Sequence, residues 1–300
     1  MFQCSKPLIQ SLSFILVTTL SACSINTGQT HACASVEKIG RFNPATDLFL
    51  ANFDIKTDVD DLHSAAAIAT ILASPGFECV NYRAVSGTYG TQGGSYVDPG
   101  DIFANGFNEN WIDAHSDREA AIRRLAKDVE DTLRSNGHVW IMEGGQSDVS
   151  AATVQAVLKS NPSIPLRNIH LVQHSSWNEK VTSEAALNFV KTELDYVKLS
   201  DGNVVGNGSP GFTTTDGSVW PVLLADPNVG DMWAEVRSQG IAHNGTGSDD
   251  VTIAAGGYHN KAIGAGGVDF SDTVEAMWIF GYEHLSGEKD FVETFVKTTE

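Results

Sequence analysis

Beyond Asp47, short apolar runs alternate with stretches of helical period, and this alternation limits the chain to few architectures. Leu48 to Phe53 forms a buried strand running into Asp54. Residues 61–73 carry helical spacing at Leu62, Ala65, Ala66, Ala69 and Leu72, closed by Ser74-Pro75-Gly76. Cys79 to Val85 reads as a second strand, 117–135 as an amphipathic helix, His138 to Met142 as a strand and 148–160 as a helix. Ile169 to Gln173 is a further strand, and Thr182 to Leu194 a helix capped by Thr182. Strands that are apolar on both faces and alternate with helices predict an α/β fold, an open, mostly parallel sheet covered on both faces. Residues 87–116, 200–218 and 243–267 read as loops rich in Gly, Asn, Ser or Asp. Helical patterns return at Asp231 to Gln239, Asp272 to Gly281 and Gly287 to Lys297. With no internal repeat and no obvious linker, 47–300 reads as one α/β domain.

The first residues follow a different logic. Lys6 supplies a positive charge, Leu8 to Leu20 a short apolar stretch, and Leu20-Ser21-Ala22-Cys23 closes it. That stretch is too short for a membrane span and fits an export signal. The tetrapeptide resembles a bacterial lipobox, in which Cys23 becomes the lipidated first residue. Residues 1–22 are then the signal, 23–46 a tether, and the product is an exported cell-envelope protein anchored by lipid, with the outer membrane the favoured site. Export permits a disulfide between Cys33 and Cys79. Without a CxxC or Cys/His pattern, a structural zinc site is not expected.

Charge narrows the partners. Asp and Glu number 37 against 19 Lys and Arg, a net charge of −18, which excludes a phosphate-backbone or nucleic-acid partner and a basic membrane-surface module. Small neutral molecules or cations fit; the oligomeric state is left open. The sharpest cluster is Asp54-Ile55-Lys56-Thr57-Asp58-Val59-Asp60-Asp61, where the first strand meets its helix. In an open parallel sheet this edge is where ligands bind. Four carboxylates in eight residues would repel one another by several kcal/mol in a partly buried site. A divalent ion, Lys56, or both should therefore sit among them; carboxylate oxygens favour calcium or magnesium. Capping of the helix explains Asp58 and Asp60, and explains Asp54 and Asp61 poorly.

The segment resembles the amino-terminal signature of nucleoside hydrolases, in which acids end the first strand and an Asp-Asp pair opens the first helix. Three further pieces follow in that family's order: Val85-Ser86-Gly87-Thr88-Tyr89-Gly90, then Trp140 to Asp148 with its Gly144-Gly145-Gln146-Ser147 turn, then Asp269-Phe270-Ser271-Asp272-Thr273 before a late helix. The resemblance covers about 47–285 and is closest to a divergent exported branch. It implies a nucleoside hydrolase-like fold and calcium held by Asp61, Asp272 and the Ser147 carbonyl, with Asp54 a further ligand or an acid behind the ligands; the alternative is a metal-free site in which the Lys56 ammonium takes the cation's place. Asp60 and Thr88 would meet ribose. Trp177 and Asn178 are placed by position alone, to stack on a base and bind a hydroxyl. Lys56 stands where classical members carry the aspartate that touches calcium and activates water, leaving Asp58 as the replacement base. Ser271 stands where they often place a histidine.

Hydrolysis of an N-glycosidic bond passes through an oxocarbenium-like ribosyl cation and needs a base, hydroxyl-binding groups and help for the leaving group. Two classes of function compete. One is a calcium-assisted N-ribohydrolase acting on nucleosides, with Asp58 and Asp60 catalytic. The other is a non-catalytic lipoprotein that binds a sugar or nucleoside in a degenerate pocket. Gly206 to Gly211 matches GxGxxG in letters, but it contains Pro210 and reads as loop. His174 reads as a structural residue, and His259, Asn260, Asp249 and Asp250 as solvated loop.

Overall fold

A computed structural model describes residues 36–56, 59–204, 207, 210–245 and 259–296. Six parallel strands form the main sheet: β1 (Leu48–Phe53), β2 (Asn81–Ser86), β3 (Trp111–Asp113), β4 (Val139–Glu143), β5 (Ile169–Gln173) and β6 (Asp195–Lys198). Their order is β3-β2-β1-β4-β5-β6, all in parallel register. The α/β sheet expected from the alternation is therefore present. Within β1, Phe49, Ala51 and Phe53 join one core and Leu48 and Leu50 the other, which is why the run carries no polar face.

Helices cover both faces. On one lie α1 (Asp60–Ala73), α2 (Gly100–Phe107), α8 (Gly230–His243), α10 (Val274–Phe280) and α11 (Glu288–Phe295), through residues such as Ala66, Phe103, Trp233 and Met277. On the other lie α3 (Arg118–Arg134), α4 (Asp148–Ser160) and α6 (Glu184–Glu193). Short helices α5 (Ser176–Val181), α7 (Trp220–Ala225) and α9 (Lys261–Gly264) and a small pairing of β7 (Thr213–Thr214) with β8 (Val268–Asp269) complete the fold. Asp60 through Ile71 are all buried, so α1 is enclosed all round and its alanines bring the sheet and α8 close. From β1 the chain winds outward to β2 and β3 with α1 and α2 on one face, then returns from β3 through α3 on the other face to place β4 on the opposite side of β1, and continues to β5 and β6 with α4 and α6 on that same face. A crevice therefore opens at the carboxyl ends of β1 and β4.

Several expected boundaries are corrected. The loop expected at 87–116 holds α2 and β3: Ile102, Phe103 and Phe107 bury an apolar face that the surrounding Gly and Asn obscure. The helix expected from Thr182 begins at Glu184 after Ser183, because Thr182 spends its hydroxyl on the Asn178 carbonyl at 2.7 Å. Strand β6 follows it at once. The packed chain begins before residue 47: Phe42 is fully buried against Phe280, and Arg41 stacks on Trp278 at 3.9 Å. Asn260 is buried and caps α9, so it is not solvated loop. Cys79 is disulfide-bonded. Cys23, Cys33, Asp58, Asp249 and Asp250 lie outside the described residues. Among the described residues no helix is long and apolar enough to cross a membrane.

Candidate functional site

A cavity of about 330 Å³ opens at the crevice. The end of β1 and the start of α1 bring Asp54, Lys56, Asp60 and Asp61 to it; the turn after β4 brings Gly144; the segment after β5 brings His174, Ser175, Trp177 and Asn178. Gln92 follows β2, Asp201 and Asn203 follow β6, and Asp272 comes from the turn before α10. Acids 218 positions apart in the chain thus face one space.

The chain does not continue as strand past Asp54. Ile55 has φ of 54°, a rare conformation for a β-branched residue, and turns the backbone. Its N–H donates to Asp61 Oδ2 at 2.5 Å and its carbonyl accepts from Val97 N at 3.0 Å. The strained residue is thus held by a carboxylate of the site itself. Asp54 Oδ1 accepts from Lys56 N at 2.8 Å, and its Oδ2 from Gln146 Nε2. The Asp54 and Asp61 carboxyls face each other within hydrogen-bonding range, and Asp61 Oδ1, in a residue only 3% exposed, has no donor. Burial foremost, then the charges of Asp54 and Asp272, raises Asp61 well above the carboxylate range. Burial likewise raises Asp54, against hydrogen bonds from Lys56 N–H, Asp61 and Gln146. Asp272 is also raised well above that range by burial, although His174 opposes it.

Gly145 makes the convergence sterically allowed. A Cβ there would lie 2.6 Å from Thr88 Oγ1 and 2.9 Å from Asp54 Cβ. The β4–α4 turn can approach the end of β1 only as glycine. Asn178 Nδ2 donates to the Gly144 carbonyl at 3.1 Å, and Gln173 Nε2 to that of Gly145 at 2.9 Å, fixing the turn from β5.

His174 is not merely structural. It is 1% exposed and lines the cavity. Its Nδ1 and its backbone N–H both meet Glu275 Oε1, at 2.6 and 2.8 Å, and its Nε2 meets Asp272 Oδ1 at 3.3 Å. Burial alone would lower it, but Glu275, then Asp272 and Asp201, outweigh burial and raise it to about 9. Ser175, next to it, is a second strained residue (φ 60°), and its carbonyl accepts from the Lys198 ammonium.

Of the residues expected at the site, Asp54, Asp60, Asp61, Trp177, Asn178 and Asp272 line the cavity; Trp177 is half-buried with the Lys180 ammonium 5.1 Å from its ring. Two do not. Ser147 is buried at the start of α4, where its carbonyl accepts from Ala151 N at 2.8 Å; Gly144 takes the place on the wall. Thr88 is fully buried beneath Gly145, its carbonyl accepting from Gln146 N at 2.7 Å. Asp58 lies outside the described residues. Sequence reasoning missed Gln92, Asp201, Asn203 and Glu275. Glu275 had a usable signal, its i+3 spacing from Asp272 at a helix start. Gln92, in a Gly-rich loop, had none.

The Lys56 ammonium forms no ion pair among the described residues. It donates to the Gln92 carbonyl at 3.2 Å and lies 4.0 Å from the Tyr89 ring centroid. Among the described residues no group of three or more His, Cys, Asp or Glu side chains is already spaced to hold a metal ion. The donor chemistry nonetheless suits a hard cation: two facing carboxyls, one with an undonated buried oxygen, and a third acid on the same cavity. No protein-family model, curated protein or solved structure matches the chain.

Proposed function

We propose that the cavity binds a nucleoside or related riboside and hydrolyses its N-glycosidic bond, as the resemblance to nucleoside hydrolases implies. The observation that carries this reading is the convergence of Asp54, Asp61 and Asp272, buried with raised proton affinity, beside hydroxyl-binding side chains and an aromatic ring. Perturbed carboxyls clustered in a cleft are the mark of a site tuned for chemistry. Asp54, Asp61 and Asp272 would hold the cation, with calcium favoured by the oxygen donor set. When bound, such an ion supplies a fixed water of lowered pKa.

The protein's own groups do the rest. Asp60 and Asn178 take ribose hydroxyls, and Trp177 offers a face to the base. The water oxygen bonds to the anomeric carbon as the carbon–nitrogen bond breaks. The water's proton passes to an acid of the 54–61 segment, Asp58 in this assignment, and the departing base takes up a proton from solvent or from the wall. His174, held by Glu275, keeps positive charge beside Asp272. The test is ribose release from a panel of nucleosides by the full chain, with calcium and after EGTA. Calcium-dependent release supports the assignment; no release from any nucleoside, with ligand-free behaviour in calorimetry, overturns it.

A second reading has its own support. Lys56 stands in place of the acid that classical nucleoside hydrolases carry and Ser271 in place of the histidine they often carry, and a pocket that binds a nucleoside or sugar without cleaving it needs neither. Saturable nucleoside or sugar binding without ribose release would select it. In both readings the protein is exported and lipid-anchored through Cys23, with no nucleic-acid partner.

A further inference from the structure

Among the described residues lining the cavity Lys56 is the single Lys or Arg, and its ammonium rests on the Gln92 carbonyl and the Tyr89 ring, with no ion pair to a described acid. Its berth is built. The Gln92 carbonyl accepts from the ammonium at 3.2 Å while Gln92 Nε2 donates to the Lys56 carbonyl at 3.3 Å, so the two residues clamp each other. The Tyr89 ring lies 4.0 Å from the ammonium, an arrangement in which the ring face attracts the cation. Tyr89 is itself fixed: its hydroxyl meets His115 Nδ1 at 2.9 Å, His115 stacks on Tyr96 at 3.8 Å, and Arg118 donates to the Tyr89 carbonyl at 3.1 Å. Tyr96 in turn bridges the Lys56 backbone. The alternative resting place is near, since Lys56 N already donates to Asp54 Oδ1 at 2.8 Å and the flexible stem can fold back. Asp61 Oδ1 is meanwhile left without a donor.

We propose that Lys56 is an internal competitor for the divalent cation, and that Tyr89 and Gln92 hold its ammonium aside so that the cluster stays open. This rests on the cation part of the proposed function and not on hydrolysis. Parked on Tyr89, the ammonium weakens cation binding only through space; folded onto Asp54 and Asp61, it would occupy the site. Tyr89 thus tunes calcium affinity without touching calcium, and only through Lys56.

Calorimetric titration of the EGTA-stripped full chain with calcium chloride tests this. Removing a like charge beside the site makes Lys56→Met bind calcium about ten-fold more tightly than the unmodified protein. Tyr89→Leu binds it several-fold more weakly, and Tyr89→Phe, which keeps the ring face, binds it as the unmodified protein does. In the Lys56→Met background, Tyr89→Leu has no effect. Equal weakening by Tyr89→Leu in both backgrounds overturns the proposal, because Tyr89 would then act without Lys56. Should Tyr89→Leu fail to fold, Lys56→Met decides alone: unchanged or weaker binding overturns it. Calcium uptake with one affinity in every variant overturns the role of Lys56 and leaves the cation assignment standing; no uptake in any variant overturns the cation assignment and the proposal with it.

Discussion

Glu143 illustrates how one buried acid sets a pH dependence. It is fully buried on β4, accepts from Asn52 Nδ2 at 3.1 Å and contacts the Ser150 hydroxyl. Burial, against the hydrogen bonds of Ser150 and Asn52, raises its pKa from 4.5 to about 8. The native state therefore holds a proton that the unfolded chain releases. Its stabilising contribution is complete below pH 4.5 and is lost as pH rises through about 8. Glu143→Gln keeps an acceptor for Asn52 and a donor for Ser150 without the ionisation. Urea denaturation at pH 5 and pH 9 should show the unmodified protein losing on the order of 3 kcal/mol more than the variant between those values. Parallel curves for the two proteins would show that Glu143 is ionised in the folded state.

The β4–α4 turn and the end of β1 depend on each other. Gly145 abuts Thr88 and Asp54, whereas Gly144 approaches the Asn52 carbonyl and Asp272. Gly145→Ala places a Cβ against backbone and a short side chain, neither of which can swing away. The substitution should destabilise by roughly 1–3 kcal/mol, as overpacking does, and should displace Asp54. Thermal unfolding with and without calcium separates the two effects. Under the proposed cation assignment calcium raises the Tm of the unmodified protein; loss of that rise in the variant, beyond the general fall, marks the displaced acid, and an unchanged rise would show that the turn and Asp54 are independent. The Gly144-Gly145 pair was visible in the sequence as a turn signal. That Gly145 serves to admit Thr88 was not, because Thr88 reads as a ligand contact until its burial is known.

At the scale of the whole molecule, the sheet and its ligand edge lie within one packed unit that begins by Ile39. The proposed anchor lies upstream of it. Lipid affinity comes from buried methylene groups, so Cys23→Ala should move the protein from the membrane fraction to the soluble one on cell fractionation. A variant that stays membrane-bound after signal cleavage would refute the lipobox. The sequence by itself determined the class of fold and the position of the acid cluster, since strand runs such as Leu48–Phe53 carry apolar residues on both faces and Asp54 ends one of them. Those are local properties, read from neighbours in the chain. Only the tertiary structure decided which acids share a space, that His174 lies between Glu275 and Asp272, and that Ile55 turns the chain so that Lys56 meets Tyr89. Each of those depends on distances between segments remote in sequence and on the burial they create together, and neither quantity exists before the chain is folded.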